Sequence, residues 1–119
     1  MIVGIGVDVV DIARFDRAVA RTPALLPRLF AEGERNRSTA SLAARFAAKE
    51  ALIKAIGETR AGFRWVDMVV DSDEHGNPHI SAGGGVAEML AERGITDLHL
   101  SMTHDGGVAC AFVVAERLA

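Results

Sequence analysis

The chain has 119 residues, enough for one hydrophobic core and not two. Half of its residues are hydrophobic and about a quarter charged, a composition that folds and does not stay disordered. A net charge of −3 argues against general nucleic-acid binding, and a single cysteine rules out an internal disulfide framework or a cysteine-rich zinc site. Met1 leads directly into a strand pattern with no basic segment before it, and no apolar run reaches membrane-spanning length, so the expectation is a soluble cytoplasmic protein.

Residues 2–10 are β-branched and punctuated by glycine, which predicts a strand. Asp11 is placed to cap a helix running to about Thr22, ahead of Pro23, with Ile12, Phe15 and Val19 at helical spacing toward the core. Leu25 to Phe30 reads as a short apolar helical turn, and 31–39 as a polar loop ending in a cap. An alanine-rich helix is predicted from about Ala40 to Ile56, stopped by Gly57.

After a loop at 58–64, Trp65 to Asp71 alternates as a strand and pairs back with 79–81 through the turn 73–78. The glycines at 83–85 break the chain, and a short amphipathic helix follows from Val86 to Arg93. Two last strands, about 97–103 and 108–116, flank a turn at His104-Asp105-Gly106-Gly107. Cys110 reads as a buried core thiol. The sum is an α+β fold, an antiparallel sheet packed against one long helix, with 1–119 as a single domain.

Asp8 interrupts an apolar run beside Gly6. It is either a turn or cap carboxylate or a ligand-binding one, and Asp11 is the better cap. Glu50 and Lys54, four apart, leave the long helix on one side. They are either a surface ion pair or part of a site, and Phe46 and Ile53 put Glu50 at the border of an apolar stripe. Carboxylates from a strand end and a helix could share one hard metal ion. Arg45 and Lys49 form a second column of like charge, unfavourable unless an anion such as phosphate relieves it. His104 ends a strand. Arg14, Arg17 and Arg21 form a basic stripe, either a solvated face or a dock for an acidic partner helix. No Walker, His-Glu-x-x-His or Gly-x-Ser-x-Gly sequence occurs.

Gly6-Val7-Asp8, followed by Phe46-x-x-Lys49-Glu50-Ala51-x-x-Lys54, resembles the signature of the 4′-phosphopantetheinyl transferases, and the likeness runs along nearly the whole chain. Arg45-Phe46-Ala47-Ala48-Lys49-Glu50-Ala51 and Leu100-Ser101-Met102-Thr103-His104 are similar to the short stand-alone type. The resemblance implies the fold of that family and transfer of 4′-phosphopantetheine from coenzyme A to a serine of apo-acyl carrier protein. It implies Mg²⁺ held by Asp8 and Glu50, with Asp8, Glu50 and Lys54 catalytic. Arg45, Lys54 and His104 would contact coenzyme A, and Arg14 the carrier protein, a dock to which the basic stripe adds Arg17 and Arg21. It further implies a homotrimer with active sites between subunits. Two departures from the family pattern are a shortened stretch between Glu34 and Arg45, and Glu58-Thr59-Arg60 where a second glycine is usual. Alternatives from other classes are a non-catalytic module binding coenzyme A or a carrier protein, and a metal-dependent phosphatase or nucleotidyl-type enzyme on a similar scaffold.

Overall fold

A computed structural model describes residues 1–119. The N-terminal run forms β1 (Ile2–Asp11), which pairs antiparallel with β5 (Val108–Glu116). On its other side β5 pairs with β4 (Asp97–Asp105), giving the sheet order β1-β5-β4. A separate hairpin joins β2 (Met68–Ser72) to β3 (Pro78–Ala82).

The long helix α3 (Thr39–Ile56) starts at Ser38, whose hydroxyl accepts the Ser41 N–H at 3.2 Å, and ends at Gly57 with φ 98°. It lies against the three-stranded sheet along a seam of small residues. Ala109, Ala111, Val113 and Ala115 face it from β5. Gly4 and Gly6 face it from β1 so closely that a Cβ at Gly4 would sit 1.9 Å from the Ala55 carbonyl oxygen, and one at Gly6 1.7 Å from that of Ala51. Only glycine lets backbone rest on backbone at these positions.

Alanine and leucine bury α3 almost all round, as expected of a helix apolar on every side. Its far side is covered by α1 (Ile12–Arg21), α2 (Leu25–Leu29), a 3-10 turn at Glu32–Glu34 and the β2-β3 hairpin. Asp11 caps α1 as expected, accepting the Arg14 N–H at 2.8 Å, and Phe15 enters the core.

Three local expectations change. Trp65–Asp67 is a 3-10 turn, and the strand begins only at Met68. Here Trp65 packs on Phe46 and Phe63 with ring centres 5.4 and 5.1 Å away, and the Asp67 carbonyl accepts the Gly83 N–H at 2.7 Å. Gly84 and Gly85 belong to the first turn of α4 (Gly84–Glu92) and do not separate it from β3 as a break. Cys110 is half-buried on the outer face of the sheet, because alternation gives the helix side to Ala109 and Ala111. That outer face is apolar and open: Ile5, Val7, Val9 and Phe112 are 54, 47, 58 and 43% exposed. No helix is long and apolar enough to cross a membrane.

Candidate active site

Alternation along β1 directs Gly4, Gly6, Asp8 and Val10 toward α3. The two glycines bring the strand down onto the helix, so Asp8, the next residue inward, arrives beside the turn of α3 that carries Glu50 and Lys54. The Lys54 ammonium donates to the Val7 carbonyl at 3.0 Å and to Asp8 Oδ1 at 3.1 Å. Glu50 is half-buried, and burial holds its carboxyl above the usual range. The nearby Asp8 charge adds to this, and Lys54 opposes it.

These three residues border an open cleft of about 550 Å³. Arg14 and Asp11 reach it from the start of α1, and Phe15 and Phe46 form its apolar wall. An apolar groove of about 300 Å³ continues from that wall between Leu25, Leu29 and Trp65.

The donor set suits a hard divalent cation. Two carboxylates converge from different elements, and the Asp8 charge adds to burial in raising the proton affinity of Glu50, which a cation would offset. No group of three or more His, Cys, Asp or Glu is placed to hold a metal. A cation here would take two protein oxygens and fill its shell with water or phosphate oxygens, the habit of Mg²⁺ and not of zinc.

Of the other sequence-predicted residues, only Arg14 reaches this cleft within one chain. Arg14, Arg17 and Arg21 are exposed along α1, and Arg14 alone lines the cleft. Arg45 is 3% exposed and faces β2, where its Nε donates to the Val70 carbonyl at 3.4 Å and its Nη1 to the Ser41 hydroxyl. Burial lowers its proton affinity, with Arg37 adding to the effect. His104 shares the helix-facing side of the sheet with Asp8 but stands two strands away, about 10 Å across the sheet.

Lys49 corrects the expectation that phosphate relieves its column: the relieving anion is Glu34. The two are fully buried and paired at 2.8 Å. Nothing periodic in 31–38 marked Glu34 as an inward residue, although a lysine surrounded by alanines on a buried helix required some internal acceptor. The loop with the unusual Glu58 and Arg60 is tied by ion pairs to Glu92 and Arg93 at the end of α4.

Residues 4–113 match the 4′-phosphopantetheinyl transferase superfamily, and the chain belongs to that family. It is 62% identical over 116 residues to the holo-[acyl-carrier-protein] synthase of Clavibacter sepedonicus, covering 98% of this chain and 97% of that one. The crystal structure of the holo-[acyl-carrier-protein] synthase from Neisseria meningitidis is similar with a TM-score of 0.89 and 34% identity, covering 98% of this chain and 100% of that one. The Helicobacter pylori enzyme in complex with coenzyme A gives a TM-score of 0.83 and 30% identity, with 94 and 99% covered. The expected α+β transferase fold is therefore borne out.

Proposed function

We propose that this chain is a holo-[acyl-carrier-protein] synthase. It transfers 4′-phosphopantetheine from coenzyme A to a serine hydroxyl of apo-acyl carrier protein and releases adenosine 3′,5′-bisphosphate. The observation that carries this reading is the meeting of Asp8 from β1 with Glu50 and Lys54 from α3 at one cleft.

The serine oxygen attacks the β-phosphorus of coenzyme A. The bond from that phosphorus to the bridging oxygen breaks, and its electron pair leaves with the adenosine bisphosphate. Asp8 and Glu50 would hold Mg²⁺, which supplies neutralising charge to the pyrophosphate. Lys54 is half-exposed and can turn its ammonium from Asp8 to a phosphate oxygen. The serine proton would go to Glu50 or to a water held at the same site.

Arg14, Arg17 and Arg21 offer an acidic carrier helix a row of exposed guanidinium groups leading to the cleft. His104, as a contact of the nucleotide, requires a site completed by a neighbouring subunit, and Arg45 would reach the nucleotide only by giving up its bonds to Val70 and Ser41. The open apolar face around Val7 and Phe112 is a surface for association, on which the homotrimer implied by the resemblance would form. Residues 1–119 act as one domain in the cytoplasm.

The test is the intact mass of an apo-acyl carrier protein after incubation with this protein, coenzyme A and Mg²⁺, with EDTA as control. A metal-dependent gain of one phosphopantetheine is expected. No gain across several carriers, with coenzyme A still bound, would return the chain to the non-catalytic reading.

A further inference from the structure

We propose that Lys49 is a positioning residue. Through its buried pair with Glu34 it fixes the roll of α3 about its own axis, and so the direction in which Glu50 and Lys54 leave the helix. The part concerning turnover rests on the transferase reading above.

Lys49 immediately precedes Glu50 in the motif, yet it is 0% exposed and meets no cleft. Its ammonium has three donors and three acceptors: the Leu29 carbonyl at 2.7 Å, Glu34 Oε1 at 2.8 Å and the Trp65 carbonyl at 3.5 Å. It also lies 5.0 Å from the centre of the Phe30 ring. The Glu34 carboxylate accepts in turn from the N–H groups of Ala31 and Val70, both at 3.0 Å. One side chain thereby ties α3 to the end of α2, to the 3-10 turn and to β2.

Stability alone does not account for this arrangement. Desolvating two charges offsets most of what their attraction returns, and an apolar pair of equal volume often does as well. What hydrogen bonds add is direction, and α3 needs it. Where it meets β1 and β5 its sheet side is a seam mostly of glycine and alanine, close-fitting but smooth, and the larger side chains on that face, Leu98, Leu100 and Met102, stand on β4. Arg45, one turn earlier, reinforces the same anchor, since its Nε donates to the carbonyl of the Val70 whose N–H is held by Glu34. With side chains reaching about 6 Å from a helix axis, a roll of about 20° carries the Glu50 carboxylate roughly 2 Å. A misplacement of even ~1 Å can cost about a hundredfold in rate.

The experiment compares Lys49→Met, the double variant Lys49→Met/Glu34→Gln, and Glu34→Asp with the wild type. Thermal unfolding, Mn²⁺ binding by electron paramagnetic resonance, and steady-state transfer are measured for each. Lys49→Met is expected to lose much of its stability, because Glu34 stays buried and unpaired. The neutral double variant should recover most of that loss, yet show kcat reduced at least tenfold, KM for coenzyme A within threefold of wild type, and weaker Mn²⁺ binding. Glu34→Asp keeps both charges but shortens the arm, and should lower kcat several-fold with KM unchanged; it decides the matter if the double variant does not fold. Wild-type kcat and Mn²⁺ affinity in a stable double variant, or in Glu34→Asp, would reduce the pair to a structural one and overturn the proposal. So would Lys49→Met with unchanged stability and a raised KM for coenzyme A, the signature of a phosphate ligand. Absence of transfer by the wild type would sink the transferase reading alone, because Mn²⁺ binding still reports whether Glu50 is aimed at Asp8.

Discussion

Replacing Gly6 by alanine tests how the site is assembled without touching a residue of the site. The added methyl group would lie 1.7 Å from the Ala51 oxygen, 2.7 Å from its carbonyl carbon and 2.9 Å from the Ala55 nitrogen. All three are backbone atoms of α3, so no side chain can swing aside. Reaching an ordinary contact near 3.4 Å means lifting the helix about 1.7 Å off the strand. The 3.0 and 3.1 Å bonds from Lys54 to β1 do not survive that lift. The seam of Ala109, Ala111 and Val113 opens with them. A loss of about 3 kcal/mol is expected, at the upper end for overpacking. For a domain of this size that corresponds to roughly 10 °C in Tm. Thermal unfolding followed by near-ultraviolet circular dichroism measures it, with Gly85→Ala as the control. Gly85 has open space around its Cβ position and sits in the first turn of α4, so its alanine should leave Tm unchanged or raise it slightly. A Gly6→Ala variant with wild-type Tm and wild-type transfer would refute the argument that backbone contact at Gly6 brings Asp8 to Glu50.

The raised proton affinity of Glu50 makes a prediction about pH. Because its folded-state pKa lies above the unfolded value, its stabilising contribution is complete below the ordinary glutamate range and is lost as pH rises through the folded value. Glu50→Gln should therefore flatten the fall in metal-free Tm over that window, abolish the gain in Tm on adding Mg²⁺, and lose transfer; an unchanged Tm profile with full activity would remove Glu50 from the site. Phe112→Asp, on the open sheet face, should turn a trimer into monomers by sedimentation velocity at micromolar concentration, and an unaltered sedimentation coefficient would show that copies do not meet on this face.

The parts of the molecule that could be read from the sequence are those governed by local rules. The β-branched run of β1, the Asp11 and Ser38 caps and the Gly57 stop depend on neighbours a few residues away. The i, i+4 spacing of Glu50 and Lys54 is of the same kind. Asp8 and Glu50 could be linked because each stands out from its surroundings, a carboxylate in an apolar run and one at the edge of a stripe. What could not be read depends on which distant segment arrives. Lys49 finds Glu34 across 15 residues, through a stretch without period. Cys110 and Phe112 look like core residues, since an apolar strand reads alike whether its outer face meets a helix, another subunit or water. Trp65 reads as part of a strand because the alternation of Val66, Met68 and Val70 masks the turn required to bring its ring onto Phe46.

The bond from Lys54 to the Val7 carbonyl has a consequence outside the chemistry. β1 is an edge strand, paired with β5 on one side only, and it is rich in valine and isoleucine. Such an edge is a template for another chain to add to, and natural proteins guard against this by placing lysine there. Lys54 puts its charge at that edge and occupies one of its acceptors. The side chain proposed to serve phosphate would thus also guard the resting protein against strand-to-strand aggregation. Substituting it is expected to lower solubility as well as turnover, and a loss of activity in a Lys54 variant has to be judged on the fraction of protein that stays dispersed.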